Sequence, residues 1–134
     1  MQHQDVCALL LLEQMGKPLV VGAFTLSRDL ASRDPSMPTT QRDAFFAAVL
    51  GEADSLARAG RGLGGISFWG WSGEGRPPSD SPQNRLGWQA GNAFTGDPPS
   101  EPQGSYSVYS TDTSTCEVIQ KYAAAINSPA GSRP

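Results

Sequence analysis

Glu74, Asp80, Asp97 and Glu101 fall in one Gly-, Pro- and Ser-rich stretch, and an acid and base pair needs two carboxylates held close together. Loop acids are ordinarily solvated, so their presence names no pair. Nucleophilic catalysis has less to draw on, because His3 is the one histidine and stands at the extreme N-terminus, with nothing obvious to activate. GWSGEG, residues 70–75, misses the G-x-S-x-G elbow because Glu74 takes the last glycine place, and Ser72 reads as a loop serine. GRGLGG matches G-x-G-x-x-G through Gly60, Gly62 and Gly65. A dinucleotide fingerprint follows a strand and opens a helix, whereas this run follows a predicted helix and precedes a predicted strand, as a flexible turn does. Cys7, Cys116 and His3 lack the spacing of a zinc site, so neither a metal nor a cofactor is implied.

Trp69 and Trp71 are more informative. At alternate positions of one predicted strand they would share a face. Two indoles on one face suit the apolar faces of sugar rings, with Arg76, Asp80 and Asn84 near enough in sequence to bond hydroxyls. They suit core packing equally well, and the strand alone leaves both readings open.

These residues need elements to position them. QDVCALLLLEQM, residues 4–15, lacks Gly and Pro and stops at Gly16, which predicts a buried helix. LVVGAF, residues 19–24, is a continuous apolar run, the pattern of a parallel strand covered on both faces. Thr40 and Asp43 form an approximate capping box, and Phe45, Phe46, Val49, Leu50 and Leu56 give the following helix one apolar face through about Ala59. ISFWGW, residues 66–71, is the second predicted strand. From Ser72 to about Tyr106 no periodicity is visible, and so long an irregular stretch is usually functional or disordered. Ser114 and Glu117 form a second capping box, opening a helix with Val118, Ile119, Tyr122 and Ile126 on its apolar face, and the tail from 128 to 134 reads as frayed.

The 134 residues allow one modest core, and a formal net charge of −3 spread along the chain offers no basic stripe for nucleic acid. VCALLLL, residues 6–12, has no Lys or Arg before it and Glu13 and Gln14 after it, so it does not read as a signal peptide. It is also far short of the ~20 residues that a membrane span needs. Both cysteines fall in predicted helices and read as small buried hydrophobes rather than a disulfide. The order helix, strand, helix, strand, long loop, helix is that of a parallel α/β arrangement. Two strands alone leave open edges and too little sheet to bury the helices, so the pattern looks like part of something larger.

GKPLVVGAFTLSRD, PTTQRDAFF, GGISFWGWSGEGRP and GDPPSEPQGSYSVYSTDTSTCEVI occur in that order. Together they resemble the C-terminal part of an endo-β-1,4-mannanase of glycoside hydrolase family 5. The resemblance implies a partial (β/α)8 barrel over residues 1–127, about helix six to helix eight with strands seven and eight, where a whole barrel has ~250 residues and its active site at the C-terminal strand ends. It implies mannan-type polysaccharide as substrate, no cofactor, and secretion of the parent protein. It also implies a retaining mechanism with two glutamates ~5 Å apart, the acid and base on strand four, outside this sequence, and the nucleophile on strand seven.

In this chain the nucleophile motif, of E-F-G type, is Ala23, Phe24 and Thr25, so a methyl group stands where the mechanism needs a carboxylate. By the same resemblance Trp69 matches a sugar platform beside the cleavage point, and Trp71, Arg76 and Trp88 are candidate substrate contacts. The expectation is a chain inactive alone, with a non-catalytic carbohydrate-binding remnant as the alternative.

Overall fold

The computed structural model describes residues 16–76 and 104–128. In chain order these form β1 (Leu19–Phe24), a short 3-10 helix (Asp29–Ala31), α1 (Thr40–Arg58), β2 (Leu63–Phe68), β3 (Trp71–Gly73), β4 (Val108–Tyr109) and α2 (Thr113–Asn127). β1 and β2 pair in parallel, as the helix between them requires of a crossover. β3 and β4 make a second parallel pair. The α/β alternation is therefore present, with two strands more than the sequence pattern shows.

The second strand is displaced from its expected span. β2 begins three residues earlier, at Leu63, and ends at Phe68, so Trp69 lies outside it and Trp71 opens β3. GRGLGG misleads because its glycines serve two purposes. Gly60 and Gly62 have φ of +65° and +66° and make the turn, as glycine does without steric cost. Gly64 is instead in the strand, where a Cβ would come within 2.9 Å of the Pro18 Cβ, so its missing side chain lets β1 and β2 approach. Ser72 likewise belongs to β3 and not to a loop. β4 has only two residues, too few for any periodicity, although Val108 and Tyr109 are both fully buried.

The core is a layer between sheet and helices. On α1 the buried positions Phe46, Leu50, Ala53 and Leu56 recur at helical spacing, and Arg42 continues the same stripe. The Phe46 ring lies 4.9 Å from that of Phe24 on β1 and 5.8 Å from that of Phe68 on β2, distances at which tilted aromatic pairs attract. From α2, Val118, Ile119 and Tyr122 close over the same cluster. Phe45, expected on this face, is 36% exposed and meets Phe24 edge-on. The expectation that β1 is covered on both faces fails: Val20 is 66% exposed, and Gly22 and Ala23 are exposed too. Among the described residues, only the helix side of β1 is packed.

Neither predicted capping box forms. α1 starts at Thr40 with Thr39 as its cap residue, and the Thr39 hydroxyl bonds the Asp43 carboxylate at 3.0 Å instead of a backbone N–H. The Gln41 N–H donates to Asp29 at 2.9 Å, so the 3-10 helix supplies the missing acceptor, and that bond holds the Asp29 carboxyl below its ordinary pKa. Ser114 sits in the first turn of α2 with its hydroxyl 3.2 Å from that of Thr39. Cys116 is a free, half-buried thiol whose pKa burial pushes up. The predicted helix over residues 4–15, with Cys7, and the frayed tail beyond Ser128 lie outside the described residues.

Candidate functional site at the strand tips

The tip of β1 is irregular in a specific way. Val21 is opposite Ile66 and Phe24 is opposite Phe68, so three steps along β1 are matched by two along β2. The extra residue makes a bulge, a device that re-aims a side chain and is common at barrel rims and next to active sites. Ala23 is in it, exposed, with φ of +56°, in the left-handed region that a residue with a Cβ adopts at a cost. The position that sequence resemblance marks for the nucleophile is thus presented outward by a strained backbone, with nothing on it but a methyl group.

That strain is measurable. Left-handed backbone costs a non-glycine residue about 1–2 kcal/mol, and the extra freedom of glycine in the unfolded chain returns about 0.4–1 kcal/mol of that. Ala23→Gly is therefore expected to stabilise the fold by about 0.5–1 kcal/mol in urea unfolding. A variant no more stable than the parent would show that the bulge is not strained.

Three tethers gather the neighbouring residues. The Trp69 N–H donates to the Phe24 carbonyl at 2.9 Å, which continues the β1–β2 ladder one residue past β2 and puts Trp69 beside the tip. The Thr25 hydroxyl donates to the Tyr106 carbonyl at 3.1 Å. Ser72 and Ser107 join hydroxyls at 2.8 Å, next to the pairing of Trp71 with Val108. Trp71 is 57% exposed, whereas Trp69 is half-buried. Because the strand breaks between them, the alternation that would give the two indoles one face does not hold here.

Arg76 is committed to the protein itself. Its guanidinium donates to the carbonyls of Gly73 and Gly75 at 3.2 and 2.6 Å and to the Thr111 hydroxyl at 3.0 Å, and lies 4.5 Å above the Tyr109 ring. It pins the end of the segment carrying Trp71 to the start of α2. Glu74 is exposed. Trp88, Asp80, Asn84, Asp97 and Glu101 lie outside the described residues. Among the described residues no group of three His, Cys, Asp or Glu side chains is placed to hold a metal ion.

Below the tips lies an ion cluster that motif reading misses. Asp112, at the cap position of α2, pairs with Arg28 through one carboxylate oxygen and with Arg42 through the other, at 2.6 Å for Arg42. Arg42 also donates to the Ser107 carbonyl at 2.8 Å, Arg28 to that of Met37 at 2.8 Å, and the Tyr109 N–H to Asp112 at 2.9 Å. Burial pushes the Arg42 pKa below its ordinary value, and the Asp112 charge opposes that shift. All three groups are at most 5% exposed, so they hold the site together and do not reach a ligand. No local signal marks the cluster, because Arg28 and Asp112 stand 84 residues apart in the chain.

Comparison with known proteins identifies the family. Residues 7–130 match the family model described as glycoside hydrolase family 5, β-mannosidase-like. A glycoside hydrolase family 5 mannosidase from Rhizomucor miehei, in a variant with one glutamate replaced by alanine, superposes with a TM-score of 0.76 at 32% identity, over 92% of this chain and 30% of that one. Another structure of that mannosidase gives 0.70 at 32% identity, over 92% of this chain and 32% of the other. A second glutamate-to-alanine variant, solved in complex with mannosyl-fructose, also gives 0.70. This chain thus spans about a third of the length of those structures. Comparison with curated proteins found no match.

Proposed function

Because the chain belongs to glycoside hydrolase family 5, among its β-mannosidase-like members, we propose that it is the strand-seven and strand-eight part of a barrel. The parent barrel hydrolyses internal β-1,4-mannosidic bonds by a retaining mechanism. β1 and β2 take the places of strands seven and eight, and α1 and α2 those of helices seven and eight. The complex of a relative with mannosyl-fructose supports a mannose-type carbohydrate as ligand.

The single observation that carries the reading is Ala23. Its bulged, outward-aimed backbone is what a catalytic side chain at a strand tip requires, and the side chain itself is absent. Retention needs a nucleophilic carboxylate here and a second one ~5 Å away to protonate the leaving oxygen. With neither among the described residues of the tip, the chain on its own is inactive. What it keeps is aromatic surface, and the exposure of Trp71 favours a second reading, a non-catalytic remnant that binds mannooligosaccharides weakly.

The test is reducing-sugar release from mannan by the purified chain and by Ala23→Glu, over hours at high protein concentration. Both are expected to stay at the level of a protein-free blank. Hydrolysis by the parent chain would overturn the inactivity. Hydrolysis by Ala23→Glu alone would show that the tip already has its acid and base partner.

A further inference from the structure

Tyr106 has no role in the chemistry argued so far, yet its placement is constrained on two sides. Trp71 pairs with Val108 through the bond that the Val108 N–H donates to the carbonyl of Gly70, the residue after Trp69, at 3.0 Å. From the other side, Thr25 reaches across to the Tyr106 carbonyl at 3.1 Å, and Thr25 is two residues from Ala23. Trp69 and Tyr106 are therefore tied to consecutive residues at the end of β1, Trp69 through Phe24 and Tyr106 through Thr25. The next residue, Ser107, is fixed by Arg42 at 2.8 Å and by Ser72 at 2.8 Å, so the Tyr106 backbone is anchored while its residue is 38% exposed.

The contrast with Tyr109 is informative. Three residues apart in one short segment, Tyr109 is fully buried between Arg28 and Arg76, and Tyr106 remains at the surface. A lone exposed aromatic ring is unremarkable. One whose backbone is anchored by Thr25, next in sequence to the Phe24 that holds the half-buried Trp69, gives the strand tip an exposed aromatic surface. Such a surface takes the C–H face of a pyranose while the phenol bonds a hydroxyl.

We infer that Tyr106 is a saccharide contact, forming with Trp69 a two-ring rim beside the Ala23 tip for a β-1,4-linked mannopyranose chain. The inference rests on the mannoside reading of this site. Its test is titration of the full chain with mannohexaose to millimolar concentration, followed by amide NMR shifts. Tyr106→Phe is expected to bind within about threefold of the parent, and Tyr106→Ala and Tyr106→Leu about tenfold more weakly, as loss of one stacked ring implies. Thermal unfolding of all three should match the parent, since the backbone carbonyl that Thr25 uses is retained. Tyr106→Leu keeps apolar bulk should alanine unsettle the segment. Parent-like binding by Tyr106→Leu, with binding lost in Trp69→Ala, would overturn the role of Tyr106 and leave the site reading intact. No shift in the parent chain at millimolar mannohexaose would overturn both.

Discussion

Replacing Asp112 with alanine is expected to lower stability by about 3–5 kcal/mol, enough to unfold much of the population if the parent has the usual total of about 5–15 kcal/mol. One carboxylate answers two guanidiniums and one backbone N–H, and none of the three side chains is more than 5% exposed. Its removal strands two positive charges out of water, beside Nε atoms of Arg28 and Arg42 that already have no hydrogen-bond partner. A pair buried this deeply need not be stabilising in net terms, because desolvation offsets most of the attraction; breaking it is what costs. The triple variant Arg28→Met, Arg42→Leu, Asp112→Ala is accordingly expected to be more stable than Asp112→Ala alone. Urea unfolding of the parent and both variants checks this, and a triple variant worse than the single would refute the account.

Phe46→Ala is expected to cost about 3–5 kcal/mol, the usual range for deleting a buried phenylalanine ring. The ring is fully buried and touches the rings of Phe24 and Phe68, which come from the two paired strands, so it is the contact through which α1 grips the sheet. The effect should extend to the site, because Phe24 also carries the carbonyl that holds the Trp69 N–H. Phe46→Leu, close in volume, should cost less than about 1.5 kcal/mol. Urea midpoints measure both, and tryptophan fluorescence reports whether the Trp69 environment loosens along with the core. A Phe46→Ala loss below that of Phe46→Leu would show that this ring is not the centre of the core.

The two described α-helices, α1 and α2, and the first strand were legible because their signals are long. Phe46, Leu50 and Leu56 recur over several turns, and LVVGAF has no competing pattern. Legibility failed where one residue type serves several purposes. The glycines from Gly60 to Gly65 read as one turn, yet Gly64 is a strand residue pressed on Pro18. Thr40 and Ser114 have the right spacing for capping boxes, but Asp29 and the Arg28–Asp112–Arg42 cluster redirect the local hydrogen bonds, and partners up to 84 residues apart leave no mark in a local window. Ala23 was marked by resemblance to a motif from which it departs. Tyr106 was not, since its position depends on a hydrogen bond from Thr25, 81 residues away.

Residues 71–76 and 107–111 are fastened to one another by bonds of their own. Arg76 is tied to Thr111, Ser72 to Ser107, and Trp71 to Val108. These bonds set the span between the point where the chain leaves after Arg76 and the point where it returns ahead of Ser107. The two flanks thus act as a socket, and the fold itself fixes the gap between its jaws.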